Sequence, residues 1–172
     1  MQGLPIRKMT ERSVNTFIAR WDPGFMEIAG EWQLCDDGVT RPLLRVHVLD
    51  QRCVAVAEYF LVDNGSDRTV FTAGLMEKLD LPLKRPESEV ELLGVGGRST
   101  FAVVTTAIEF VRRDGAMARV RGDFGVFTDA SALDVSILGR DVLNHFDVIL
   151  SRRRNELLLL APPHQYRVVS VV

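Results

Sequence analysis

The sequence predicts a mostly-β domain with two short helices, folded as a small closed or partly closed barrel. Short runs rich in Val and Leu alternate with turn residues along most of the chain, which is typical of strands. The chain shows neither a sustained helical period nor a repeat at a fixed interval. Many short strands with few helices favour a barrel over a layered α/β fold.

The predicted strands follow one another closely, with turn signals between them. Polar or glycine-rich turns at Asp50-Gln51, 94–97, 112–115 and 151–155 separate neighbouring runs, which indicates hairpins. The strand-forming runs are 42–49, 52–62, 69–71, 90–93, 99–104, 107–111, 116–120, 124–127, 135–138, 146–150 and 156–160.

Two segments carry helix signals. Residues 72–79 can begin with Thr72 as the N-cap, and Leu75, Met76 and Leu79 then share one face. Pro82 limits this helix at its carboxyl end. Residues 140–145 suit one or two further helical turns.

Composition places the chain among ordinary globular domains. It has 172 residues, 47% of them apolar and 26% charged, which suits one domain and excludes disorder as the dominant state. With 21 basic against 23 acidic residues and a net charge of −2, the chain is not built mainly to bind nucleic acid.

The termini and the cysteines indicate a compartment and a domain plan. The N-terminus has no apolar signal region and no run could span a bilayer, so we expect a cytoplasmic protein without membrane contacts. Cys35 and Cys53 do not have the spacing of metal ligands. We expect them to be buried free thiols rather than a disulfide that joins two neighbouring strands. Residues 1–30, with a turn at 21–24, are predicted to be an extension, 31–161 the domain, and 162–172 a tail.

The segment most suggestive of chemistry is FLVDNGSDRTVF at residues 60–71. An apolar strand ends in Asp63-Asn64-Gly65, and a second acid, Asp67, precedes another short strand. An Asn-Gly pair is also a strong hairpin signal, because both residues tolerate positive φ. An ordinary turn in an unrelated small β-barrel, which would be monomeric, is therefore one interpretation of the segment.

Two further motifs favour a different interpretation. Residues 136–143 read SILGRDVL, and a glycine-rich hairpin tip occupies 93–98 between the two segments. In this order the three landmarks resemble the active-site loop, the flap and the apolar-apolar-Gly-Arg element of retropepsin-like aspartic proteases. The resemblance covers about residues 40–161. It implies a closed β-barrel that acts as a twofold homodimer.

The resemblance implies that Asp63 is the catalytic carboxylate of an aspartic endopeptidase. Hydrolysis by this route uses two close carboxyls that share one proton, one activating water and the other bonding the scissile carbonyl. Asp36-Asp37-Gly38 repeats the Asp-x-Gly pattern, but no apolar strand precedes it, so we predict a solvated turn there. The second carboxyl would then be Asp63 of another copy, at an isologous interface.

Other residues take roles by the same resemblance. Asn64, Gly65 and Ser66 would form the active-site loop. Asp67 would pair with Arg140 near the dimer contact. Without the resemblance, Asp67 and Arg140 could equally be ordinary surface charges that contribute little.

The flap would consist of Gly94, Val95, Gly96 and Gly97, closing over an extended peptide, although a plain glycine-rich turn would have the same sequence. No metal or organic cofactor is implied, and the tail could add a strand to an intersubunit sheet.

Asn64 departs from the family pattern, which has Thr or Ser in the middle of the triplet. The resemblance gives that hydroxyl a hydrogen bond to the partner's loop. The Asn64 amide can both donate and accept, but it is bulkier. The alternative function is therefore a weakly active or inactive protease-like module for dimerisation or peptide binding.

Other chemistries lack their motifs. His47, His145 and His164 are scattered without zinc spacing. The serines lack a nucleophile elbow, and 94–97 lacks the lysine of a phosphate loop. The run 152–154 of three arginines is predicted to be a solvated hairpin tip rather than a nucleic-acid patch.

Overall fold

The computed structural model describes residues 16–17, 26–84, 92–94, 97–99, 101–127 and 135–164. A single 3-10 turn, Arg152–Arg154, follows the eleventh strand. The other elements, in chain order, are β1 (Thr16–Phe17), β2 (Glu27–Leu34), β3 (Thr40–Leu49), β4 (Ala55–Val62), β5 (Val70–Phe71), α1 (Ala73–Leu79), β6 (Leu92–Gly94), β7 (Gly97–Ser99), β8 (Phe101–Val111), β9 (Met117–Phe127), β10 (Ser136–Leu138), α2 (Arg140–Leu143), β11 (Asp147–Ser151) and β12 (Glu156–Leu160).

Six strands close a barrel. β3 pairs with β4 and β8, β8 with β9, β9 with β5, β5 with β10, and β10 returns to β4. Two of these pairings, β10 with β4 and β5 with β9, are parallel. The predicted closed, mostly-β barrel with two short helices is therefore confirmed.

A second group of strands extends the sheet beyond the barrel. β2 continues from β3 and pairs with β12, which pairs with β11 at the sheet's edge. Residues 27–30, which the sequence assigned to the extension, thus belong to the sheet, and β1 pairs with β9. The rest of the extension, and the tail beyond residue 164 with its predicted intersubunit strand, lie outside the described residues.

The barrel strands alternate between core and surface as the period of a strand requires. In β3 the side chains of Leu44, Val46 and Val48 are buried, while Arg45 and His47 point away from the core. The same pattern on the other strands encloses one hydrophobic cluster. Its burial is the main stabilising contribution to the fold.

α1 forms as its sequence predicts. The Thr72 side chain accepts a hydrogen bond from the backbone N–H of Leu75 at 3.2 Å, and Leu75, Met76 and Leu79 are buried. Among the described residues, no helix is both long and apolar enough to cross a bilayer.

The turn before β4 is longer than predicted. The Asp50 carboxylate accepts the N–H groups of Arg52 at 2.8 Å and Val54 at 2.7 Å, which holds 50–54 in a turn and delays the strand to Ala55. Cys53 lies in this turn with a φ of 60° and an exposed side chain. Cys35 is half-buried, and both thiols are free, so the expectation of burial was wrong.

Candidate active site

Asp63 lies where two parallel strands of the barrel end. β4 ends at Val62, and the Asp63 N–H donates to the carbonyl of Leu138, the last residue of β10, at 3.1 Å. Oδ1 of the half-buried Asp63 accepts the N–H of Gly65 at 2.8 Å. Oδ2 has no hydrogen-bond partner among the described residues, so one face of the carboxyl is available to a reacting group.

The loop after Asp63 is not an ordinary hairpin turn. β4 pairs with β3 and β10 rather than with the next strand, β5. Left-handed φ values among the described glycines occur at Gly38 and Gly115, not at Gly65. The loop is fixed by the Ser66 N–H, which donates to the Asp63 carbonyl at 3.2 Å, and by the Ser66 hydroxyl, which donates to the Arg68 carbonyl at 2.8 Å. Asn64 is exposed at its tip.

The start of α2 crosses this loop. The Arg140 N–H donates to the Ser66 carbonyl at 2.9 Å, and the Asp141 N–H donates to the Asp67 carbonyl at 3.3 Å. A Cβ at Gly139 would lie 2.3 Å from the carbonyl carbon and oxygen of Arg68. Only glycine allows the two segments to approach this closely.

Asp67 and Arg140 form an ion pair at the protein surface. Arg140 Nη2 donates to Asp67 Oδ1, and the side chains are 47% and 76% exposed for Arg140 and Asp67 respectively. An exposed pair contributes little to the stability of one subunit. Its position beside Asp63 suits a contact with another molecule.

The glycine-rich segment forms an antiparallel hairpin of its own. β6 pairs with β7, with Gly94 opposite Gly97. Val95 and Gly96 lie outside the described residues. The hairpin is a separate two-stranded sheet, as a flap requires, but its motion over a substrate stays a prediction.

Solved structures share this architecture. A retropepsin-like aspartic protease from Rickettsia conorii aligns with a TM-score of 0.53 and 21% identity, over 80% of this chain and 92% of that one. This chain has the retropepsin-like fold. The EIAV protease in complex with the inhibitor HBY-793 aligns over 60% of this chain and 86% of that one, with a TM-score of 0.44 and 25% identity. No protein-family model matches the sequence, and no curated protein does.

Two residues that the sequence did not single out hold the loops of this retropepsin-like barrel together. The Thr69 side chain is fully buried; its hydroxyl donates to Asp141 Oδ1 at 2.7 Å and accepts the Gly139 N–H at 3.0 Å. The Thr69 N–H donates to the same carboxylate oxygen at 2.9 Å. Thr69 and Asp141 stood within the two quoted motifs, but only the crossing of the loops brings them together.

Two other Asp-x-Gly triplets of this retropepsin-like chain, 36–38 and 123–125, lie among the described residues in different environments. Residues 36–38 form an exposed turn, as predicted. Both carboxylate oxygens of Asp37 accept from the Arg41 guanidinium, at 2.7 and 2.5 Å. These hydrogen bonds, with one from the Val39 N–H, lower the pKa of Asp37 to about 2. The acid of this triplet that corresponds to Asp63 is Asp36, which lies exposed in the turn between β2 and β3; Asp123 is exposed within β9.

Within the described part of the chain, no group of three or more His, Cys, Asp or Glu side chains is arranged to hold a metal ion. The turn 152–154 is exposed, in keeping with a solvated hairpin tip.

Proposed function

We propose that this chain is an aspartic endopeptidase that hydrolyses extended peptides as a twofold homodimer. The observation that carries the proposal is the half-buried Asp63 carboxyl, whose Oδ1 is held by its own loop and whose Oδ2 makes no hydrogen bond to the described residues. A twofold axis beside this loop would bring the second copy's carboxyl against Oδ2. The fold shared with an aspartic protease supports this placement.

The chemistry follows from two carboxyls in close contact. Two carboxyl groups this close cannot both be ionised, because their negative charges would repel each other. The pair therefore holds one proton. The ionised carboxyl takes a proton from water, and the protonated one donates a hydrogen bond to the scissile carbonyl oxygen. The oxygen of water bonds the carbonyl carbon, and the C–N bond then breaks as the amine gains a proton. Water is the nucleophile, so the proposal uses no cofactor.

One chain supplies one suitable carboxyl in this proposal. Asp36 is exposed in the turn between β2 and β3, and Asp123 is exposed within β9, so neither follows the end of a barrel strand as Asp63 does. Asp22-Pro23-Gly24 has a proline in its middle position and lies outside the described residues. The partner is therefore a second copy, with Asp67 and Arg140 near the contact and the β6–β7 hairpin covering an extended peptide.

The test is cleavage of a mixed fluorogenic peptide library at mildly acidic pH. Asp63→Asn is expected to abolish cleavage, while the matched controls Asp36→Asn and Asp123→Asn, at the first positions of the other described Asp-x-Gly triplets, retain it. Full cleavage by Asp63→Asn would refute Asp63 as the catalytic residue.

Mixing subunits tests the shared site. After equal amounts of wild-type and Asp63→Asn chains exchange, about a quarter of the dimers carry two intact Asp63 residues. The activity should then be about a quarter of that of the same total amount of wild-type chain. If each chain had its own independent site, about half of that activity would remain. An activity near a half would refute a site built from both copies.

A second candidate function rests on Asn64, which is exposed at the loop tip where the family pattern has a hydroxyl. The chain would then bind peptides or dimerise with little or no turnover. Asn64→Thr is expected to raise the cleavage rate if a hydroxyl link between loops is needed. An unchanged or lower rate would show that the amide is a working substitute.

A further inference from the structure

A groove of about 610 Å³ lies on the outer face of the barrel, apart from the Asp63 loop. It is bounded by β2, β3, β12 and the turn that follows β8. Seven polar side chains line this outer groove, and they are Glu27, Arg45, His47, Arg112, Arg113, Asn155 and Glu156. Its volume falls in the range of small-ligand and peptide-side-chain sites.

Arg112 gives the outer groove a buried cation. Its side chain is 7% exposed, and Nη2 donates to Asp114 Oδ2 at 2.5 Å. Nε is also buried and has no hydrogen-bond partner among the described residues. Arginine stays protonated, so this N–H cannot be removed by titration, and a buried donor without an acceptor is unfavourable. The exposed 7% of the Arg112 side chain lines the outer groove, so a ligand would meet the guanidinium there.

Arg45 adds a second guanidinium to the outer groove. It is exposed on β3, and its side chain makes no hydrogen bond or ion pair with the described residues. Three guanidinium groups line the groove: Arg113 is paired with Glu27, Arg112 is partly paired, and Arg45 has no partner among the described residues. This arrangement favours a negatively charged ligand.

The carboxylates in the groove wall are already paired. Glu27 accepts from Arg113 at 2.8 Å, and Glu156 pairs with Arg154 at 3.2 Å. They therefore do not neutralise Arg45.

We propose that the outer groove binds a carboxylate of an acidic peptide, through Arg45 and Arg112. A carboxylate has one charge and accepts two parallel N–H bonds from a guanidinium. The exposed side chain of Val111 at the same groove suits an apolar neighbour of the acidic residue. The site does not depend on the proposed peptide hydrolysis, since none of its residues belongs to the Asp63 loop or to α2.

Fluorescence anisotropy with a labelled peptide tests the proposal. The probe is a capped octapeptide of alternating Glu and Leu, and all chains carry Asp63→Asn so that the probe is not cut. Arg45→Glu is expected to weaken binding about tenfold or more, because it replaces a charge-assisted hydrogen-bond donor with a like charge. Arg112→Gln should also weaken it, but Arg112 is buried and this variant could lose its fold, so Arg45→Glu is decisive.

Arg52→Glu is the matched control. It makes the same change in charge on an arginine that is 84% exposed in the 50–54 turn and does not line the groove. A capped peptide with Gln in place of Glu should not bind, and citrate should displace the acidic peptide. If citrate binds as tightly as the acidic peptide, the natural ligand is a free carboxylate rather than a peptide. The carboxylate site itself is then still supported.

Three binding results and one displacement result would overturn the proposal. The three binding results are equal binding by Arg45→Glu and Arg52→Glu, equal binding of the Gln peptide, and no binding of the acidic peptide at millimolar concentration. Displacement by inorganic phosphate at lower concentrations than citrate would refute a carboxylate as the ligand.

Discussion

The Thr69 hydroxyl donates a hydrogen bond to Asp141 Oδ1 at 2.7 Å, across a separation of 72 residues. The same hydroxyl accepts the N–H of Gly139, so its donor and an acceptor site are both used in a fully buried position. The bond joins the segment after Asp63 to the first turn of α2. It therefore positions the loop that presents Asp63 without itself contacting a substrate.

Thr69→Val should destabilise the protein by about 1–3 kcal/mol, because the methyl fits the space but leaves the Gly139 N–H and the Asp141 carboxylate without this partner. Urea unfolding measures the change. Thr105→Val is the control, since Thr105 is exposed and water can replace its hydroxyl. An equal loss in the two variants would contradict a special contribution from the buried bond.

A methyl group at Gly139 should be far more costly than one at Gly74. The Gly139 Cβ would lie 2.3 Å from Arg68 backbone atoms, whereas nothing lies within 4 Å of a Cβ at Gly74 in α1. Gly139→Ala should lose at least about 2 kcal/mol through overpacking. Gly74→Ala should gain up to about 1 kcal/mol of stability from helix propensity. Thermal or urea unfolding of the two variants compares them, and similar values would refute the close crossing of the loops.

The sequence predicts best what local chemistry determines. The Thr72 cap, the buried face of α1 and the strand at 42–49 depend on neighbours in the chain, and all three appear in the structure as expected. The order of three motifs then gave the barrel, because their spacing matches a known fold.

The resemblance supplied the Asp67–Arg140 pair, but other contacts between distant segments escaped prediction. The Asn64-Gly65 pair favours a hairpin with positive φ, but the pairing of β4 with β10 sets the loop's course and overrides that local preference. Thr69 and Asp141 meet only after the barrel closes. Arg45 and Arg112 likewise lie far apart in sequence, so no pattern placed them at one groove.

The pKa of Asp37 should be measurable at about 2 by NMR titration of its carboxyl carbon. Arg41→Gln is expected to raise it towards 3.8, because the bonds from Arg41 are the largest cause of the shift. A lowered pKa stabilises the fold above the unfolded value of 3.8, and that contribution disappears as the pH falls through about 2. Arg152→Gln, in the exposed 3-10 turn, should leave the Asp37 titration unchanged. A low pKa that persists in Arg41→Gln would contradict the assignment of its cause.

Loss of the Asp67–Arg140 pair is expected to affect the stability of the dimer much more than the stability of the subunit. Both side chains are about half or more exposed, so Arg140→Ala should change the unfolding free energy of the isolated subunit by no more than about 1 kcal/mol. If the pair lies near the proposed dimer contact, the same variant should raise the dimer dissociation constant about tenfold, because the interface would exclude the water that screens these charges. Sedimentation over a concentration series measures dimer dissociation, and urea unfolding at high dilution measures the stability of the subunit.

The exchanged pair, Asp67→Arg with Arg140→Asp, should recover part of the lost affinity. A dissociation constant that is the same for Arg140→Ala and the wild type would place the pair away from the interface, whatever the role of Asp63.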